Sequence, residues 1–254
     1  MQLNFKEFGQ GDPIIILHGL FGMLDNWKTL GRKLSENHTV LLVDQRNHGR
    51  SPHLPGHNYQ LMAEDLQHFM ESRWIYKAHI IGHSMGGKTA MQFALDYPDL
   101  VDKLVVVDIG PKAYKGGHEA IFDALLALEP DKVDSRQEAE AFLAQRIDDK
   151  GIRQFLMKNL SRNKAGGFQW KMNLLAIHEY YSRILEALPD DRTFSGETLF
   201  VRGGHSNYLQ AEELDSLRKI FPQAQMETVE EAGHWIHAEA PEQLLKILTK
   251  FLAS

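Results

Sequence analysis

Ala78-His79-Ile80-Ile81-Gly82-His83-Ser84-Met85-Gly86-Gly87-Lys88 runs from a β-rich apolar stretch through a glycine-bracketed serine into a helix-length segment, Lys88 to Asp96, that Tyr97-Pro98 stops. A serine on a tight strand-to-helix turn takes a strained backbone. Side chains two residues to either side would collide there, so Gly82 and Gly86 are the residue type such a turn needs. Ser84 is therefore expected at the carboxyl end of a buried strand, with a helix beginning near Gly86.

The surroundings repeat this alternation. Pro13-Ile14-Ile15-Ile16-Leu17, Thr39-Val40-Leu41-Leu42-Val43 and Leu104-Val105-Val106-Val107 are nearly unbroken apolar runs, as strands covered on both faces must be. Helical spacing separates them over residues 27–37, 61–73 and 88–96. The pattern predicts an α/β fold with a mostly parallel central sheet flanked by helices. After Pro111 strand-like runs stop, and apolar residues fall at helical spacing, among them Ile121, Leu125, Leu128, Phe142, Phe155, Leu160, Trp170, Leu174, Ile177 and Leu185. Strand character returns at Thr198-Leu199-Phe200-Val201. A helix over 208–220, a short strand over 225–229 and a closing helix from Pro241 to Leu252 follow. Residues 112–190 thus read as a helical cap inserted into one core made of residues 1–111 and 191–254.

Composition narrows the chemistry. Among 254 residues, 28 Lys and Arg against 34 Asp and Glu give a net charge of −6, which disfavours nucleic acid as a partner. There is no cysteine, so a nucleophile must be oxygen or nitrogen, and disulfides and thiolate metal sites are excluded. Met1 to Gly9 alternates like a strand and lacks the layout of a signal peptide. No run approaches the ~18 apolar residues of a membrane span, so cytoplasmic residence is expected. The sequence assigns no oligomeric state.

A serine nucleophile attacking an acyl carbonyl needs two backbone N–H groups aimed at the developing oxyanion. One comes from the residue after the nucleophile and one from a loop after an earlier strand. Met85 and Leu20, the latter in His18-Gly19-Leu20-Phe21-Gly22, are the candidates.

The order strand, His-Gly, Asp44-Gln45-Arg46-Asn47-His48-Gly49-Arg50-Ser51, Gly82-His83-Ser84-Met85-Gly86, helical insert and late Ala232-Gly233-His234-Trp235 resembles the α/β-hydrolase superfamily. More narrowly, His18 to Gly22, Asp44 to Gly49, Gly82 to Lys88 and Gly233-His234-Trp235-Ile236-His237-Ala238-Glu239 are similar to the small YbfF-type acyl esterases along the whole chain. The resemblance implies hydrolysis of carboxylic esters or acyl thioesters with no metal or organic cofactor. The substrate would be a small-molecule acyl ester or thioester.

A general base belongs in a loop after the last strand, which points to His234. His237, three residues on, is its rival, and the pair has metal-ligand spacing without an obvious third ligand. The acid departs from the commoner superfamily layout, since Arg202-Gly203-Gly204-His205-Ser206-Asn207-Tyr208 offers no carboxylate where one is usual. Asp108, at the end of Leu104-Val105-Val106-Val107, emerges on the same sheet edge as Ser84 and is the candidate acid, with turn capping as its competing role. Ser206 and Asn207 would then support it. Asp44 reads as a turn-bonding carboxylate. Phe21, Phe155, Trp170, Tyr180, Tyr181 and Trp235 are candidates for an apolar substrate pocket beneath the cap.

Two other functions fit the same residues. A lyase or carbon–carbon hydrolase would need cations to hold carboxylates, for which Arg46, Lys88 and Arg202 are available. A non-catalytic ligand-binding module would keep the architecture without turnover. A dehalogenase is disfavoured, because its turn would carry Asp in place of Ser84.

Overall fold

The apolar runs form the strands of one seven-stranded sheet in the computed structural model, which describes residues 1–189 and 191–253. The strands are β1 (Phe5–Phe8), β2 (Pro13–Leu17), β3 (Thr39–Val43), β4 (Ala78–His83) and β5 (Val101–Val107). After two cap strands, β6 (Leu160–Arg162) and β7 (Phe168–Trp170), come β8 (Glu197–Gly203) and β9 (Ala224–Val229). Their spatial order is β1-β3-β2-β4-β5-β8-β9. β1 pairs antiparallel with β3, and every other pair in this sheet is parallel. The chain steps from β2 outward to β3 and then returns across β2 to β4. The carboxyl ends of β2 and β4 therefore open a crevice at a topological switch point.

Side-chain alternation divides the core between two faces. Ile15, Leu17, Leu41, Val43, Ile80 and Val106 pack toward α2 (Tyr59–Glu71) and α3 (Met85–Asp96). Ile14, Ile16, Val40, Leu42, Ile81 and Val105 pack toward α1 (Lys28–Leu34) and the final helix, which opens on Pro241 in its first turn. Both faces are covered, which is why the parallel strands carry unbroken apolar runs. Asn58 starts α2 by accepting the Leu61 N–H, so the helix begins at Tyr59, two residues ahead of the expected start at Leu61.

The cap contains α4 (Glu119–Ala127), α5 (Arg136–Ala144), α6 (Lys150–Met157), α7 (Leu174–Glu179) and α8 (Tyr181–Leu185). Its own core, with Phe122, Leu125, Leu143, Leu156 and Ile177, also takes in Phe21 from the sheet edge. Hydrogen bonds tie it down, among them Asn159 Nδ2 to the Phe21 carbonyl at 2.7 Å, the Asn173 N–H to the Asn47 carbonyl at 2.8 Å, and the Tyr59 hydroxyl to the Ile184 carbonyl at 2.7 Å. The expected cap boundary at residue 190 and the last residue, 254, lie outside the described residues.

Two expectations are corrected. The cap is helical as expected, but the stretch expected to hold no strand also carries β6 and β7, an antiparallel hairpin pairing Leu160 with Trp170. Asn163 closes its loop by accepting the Ala165 and Gly167 N–H groups, and Gly166 supplies a φ of 96°. The helix expected over 208–220 shrinks to a 3-10 turn, Ala211–Glu213, and α9 (Leu214–Leu217). The Gln210–Glu213 capping box begins it only after Gln210, while the Tyr208 and Leu209 carbonyls accept hydrogen bonds from Tyr114 and Arg202. The chain then forms α10 (Ile236–Glu239) and α11 (Pro241–Leu252), which buries Leu244, Leu248, Phe251 and Leu252 at helical spacing. Among the described residues no helix is long and apolar enough to cross a membrane.

Candidate active site

Ser84 follows β4 directly and has φ 52° and ψ −120°, a conformation that non-glycine residues adopt only under constraint. The constraint is steric and visible in its neighbours. A Cβ on Gly82 would stand 2.1 Å from the Gly86 carbonyl oxygen, and one on Gly86 would stand 2.4 Å from that of Leu17. The Ser84 N–H donates to the Val107 carbonyl at 3.0 Å, which pins the turn to the end of β5.

Asp108 leaves β5 at that same point with φ 53° and no solvent exposure. One carboxylate oxygen accepts the Gly203 N–H at 2.9 Å, and the other accepts the Ser206 hydroxyl and lies 2.7 Å from His234 Nδ1. His234 Nε2 in turn lies 3.0 Å from Ser84 Oγ. The expected nucleophile, base and acid are thus brought into one hydrogen-bonded line, from the loops after β4, β9 and β5. Of the two residues expected to support the acid, Ser206 does so. Asn207 is exposed and is not among the partners of Asp108, because the turn that buries Ser206 turns the next side chain outward.

Sequence reasoning missed the groups that hold His234. Tyr208 stacks on its ring with centroids 4.0 Å apart and planes at 21°. His83 Nε2–H donates to its backbone carbonyl at 2.8 Å. Glu239 accepts the N–H groups of Gly233 and Trp235, the residues on either side, at 2.6 and 3.1 Å. Only the spacing of Glu239, five residues after His234 at a helix start, left a trace in the sequence. His237 stacks instead on Trp27, centroids 4.8 Å apart, and burial pushes its pKa down to about 3. Among the described residues no group of three or more His, Asp or Glu is arranged to hold a metal ion.

Residues 19 to 22 form a turn closed by the Gly22 N–H to the Gly19 carbonyl at 2.9 Å, with Phe21 at φ 59°. Two buried histidines brace it. His48 Nε2 accepts the Phe21 N–H at 3.2 Å while its Nδ1–H donates to the Arg46 carbonyl. His18 donates from Nδ1 to the Gly19 carbonyl and accepts the Gln45 N–H at Nε2. Burial lowers their pKa values to about 3 and about 4, so both act as neutral, directional struts. A Cβ on Gly19 would lie 3.2 Å from the Ser84 Cβ, so this turn abuts the serine and carries Leu20 beside it. Asp44 accepts the Leu24 and Arg50 N–H groups, the turn-bonding role expected of it.

Ser84 opens into two spaces. The larger cavity, about 410 Å³, is lined by Leu20, Phe21, Ile121, Phe155, Tyr208 and Trp235 among others. A smaller chamber of about 40 Å³ runs under the end of the cap, past Met85, Lys88, Tyr114 and Tyr181. Of the expected pocket residues, Phe21, Phe155 and Trp235 therefore line the larger cavity and Tyr181 the smaller. Trp170 and Tyr180 line neither, since Trp170 packs in the cap hairpin and Tyr180 sits at the junction of α7 and α8. Arg46 is paired with Asp65 at 2.5 Å and Arg202 donates to the Leu209 carbonyl, and of the three expected cations only Lys88 lines either space beside Ser84.

A sheet of this order with this line of residues at its carboxyl edge defines a family, and comparison agrees. The alpha/beta hydrolase fold model matches residues 12–241, and the chain belongs to that family. Within it the chain resembles esterase and lipase members. It is 38% identical over 243 residues to Esterase YbfF of Escherichia coli K12, covering 94% of this chain and 92% of that protein. It is 41% identical over 248 residues to the sn-1-specific diacylglycerol lipase ABHD11 of Mus musculus, covering 94% and 80%. A solved structure described as a marine microorganism esterase superposes with a TM-score of 0.96 at 39% identity, covering 98% of this chain and 99% of that one.

Proposed function

We propose that the protein is a serine hydrolase that cleaves carboxylic esters, and acyl thioesters by the same chemistry, through an acyl-enzyme on Ser84. The observation that carries this is the line Ser84 Oγ, His234 Nε2 at 3.0 Å, then Nδ1 to Asp108 at 2.7 Å, with Asp108 buried. His234 takes the Ser84 proton as Oγ attacks the carbonyl carbon. Asp108 holds the ring in the tautomer with hydrogen on Nδ1 and balances the imidazolium. The Leu20 and Met85 N–H groups receive the oxyanion. His234 then returns the proton to the leaving alcohol or thiol, and water repeats the sequence to free the acid. The names of the esterase and lipase relatives support an ester substrate, and the apolar wall of the larger cavity suits a hydrocarbon portion.

The test is steady-state hydrolysis of p-nitrophenyl esters of increasing chain length, with matched thioesters, by wild type and Ser84→Ala. Turnover that disappears in Ser84→Ala is the expected result. No turnover by folded wild type would overturn the reading and favour a ligand-binding module, and equal turnover by the variant would overturn Ser84 as the nucleophile.

A further inference from the structure

We propose that the small chamber beside Ser84 is a subsite for a short substrate arm ending in a carboxylate, with the Lys88 ammonium as its counter-ion. The proposal rests on the ester-hydrolase reading and adds a substrate class to it.

Lys88 lies one helical turn after Ser84 on α3, and helical side chains lean toward the N-terminus, which brings its stem back toward the serine. It is 1% exposed, a rare setting for lysine. Its hydrogen bond goes to a neutral acceptor, the Glu186 backbone carbonyl, and its Nζ stands 5.3 and 5.1 Å from the ring centroids of Tyr59 and Tyr114. The Glu186 carboxylate is turned away to Arg183, and among the described residues no carboxylate comes within 4 Å of Nζ. An ammonium has three donors, so this one enters the chamber wall with donors to spare and without a direct ion pair, the Glu186 carboxylate acting on it only through space. Burial accordingly pulls its pKa down to about 8.

Three hydroxyls of the wall already have partners. The Tyr59 hydroxyl donates to the Ile184 carbonyl, the Tyr114 hydroxyl to that of Tyr208, and the Tyr181 hydroxyl lies 2.7 Å from His118 Nδ1. An arriving carboxylate would supply the missing charge and take charge-assisted hydrogen bonds from Lys88. A neutral arm of the same shape would desolvate the ammonium further and return nothing. The volume, about 40 Å³, has room for a few water-sized atoms, which fits a carboxylate on a short stem. The rest of the substrate would occupy the larger cavity.

The carboxylate could sit on the acyl or the alcohol side of the ester, and paired probes separate the two. Monomethyl succinate is compared with methyl levulinate, and butyryl glycolate with acetonyl butyrate. The expected result is a kcat/KM ratio of charged to neutral ester of about ten or more in one pair, falling at least tenfold in Lys88→Met and Lys88→Gln. Ratios at or below one in both pairs would overturn the subsite. So would variants that slow both members of a pair equally, as loss of the Glu186 tie alone would do. If the variants do not fold, the wild-type ratios decide. Calorimetric binding of monomethyl succinate and of butyryl glycolate to Ser84→Ala, with and without Lys88→Met, needs no turnover and so separates this proposal from the ester reading. At least tenfold weaker binding of one of the two supports the subsite, and unchanged binding of both overturns it.

Discussion

Asp108 and His234, 126 residues apart in the chain, meet at 2.7 Å because β5 and β9 end on the same edge of the sheet. Asp108 thus precedes the cap, and the end of β8 and the loop after it give it the Gly203 N–H and the Ser206 hydroxyl. Asp108→Asn should lower kcat by roughly 10³–10⁴, the scale seen when a triad carboxylate loses its charge. Asn207→Ala should stay within about twofold, and the reverse ranking in steady-state assays would move the acid elsewhere.

Tyr208 presents a flat ring face to His234, and a ring face stabilises a cation above it. Tyr208→Phe keeps that face and is expected to retain most activity, whereas Tyr208→Leu should cost about tenfold in kcat. Equal losses in the two variants would point to the hydroxyl.

Gly82 has backbone 2.1 Å from the position of an added Cβ, while Gly117 has nothing within 4 Å. Gly82→Ala should destabilise the protein by about 3 kcal/mol or more, and Gly117→Ala should stay within about 0.5 kcal/mol. Urea melts of the two variants beside wild type measure the contrast.

His18, His48 and His237 have pKa values of about 4, 3 and 3, below the ordinary 6.5, because burial disfavours their charged forms. The unfolded chain binds protons at these groups first as pH falls. Their contribution to stability is therefore complete above pH ~6.5 and is lost progressively below it, by up to about 1.4 kcal/mol per pH unit for each residue. Denaturation midpoints should fall steeply from pH 6 to pH 4, and a flat profile there would contradict the buried neutral state. His237→Phe, which keeps a ring against Trp27, should shallow the slope.

The parts legible in the sequence are those set by local rules. Strands covered on both faces must be apolar throughout, so β2, β3 and β5 stand out as runs, and the Ser84 turn demands glycines at fixed offsets. Asp108 is visible mainly because the usual position holds no carboxylate. The β6–β7 hairpin escapes because three-residue strands are too short to display alternation. Trp170 and Tyr180 mislead because an aromatic residue in a helical pattern does not reveal which of two apolar surroundings it meets. Tyr208 and His83 reach His234 only once the sheet is assembled, and local sequence carries no record of that approach.

The order of parts along the chain has a consequence for biosynthesis. Ser84 and Asp108 are translated first, then the cap, then Ser206, and His234 only after β9. Domains gain structure from the N-terminus as the chain is made. Under the proposed mechanism, a nascent chain that already displays the strained serine therefore lacks the base that would activate it until its last strand has docked.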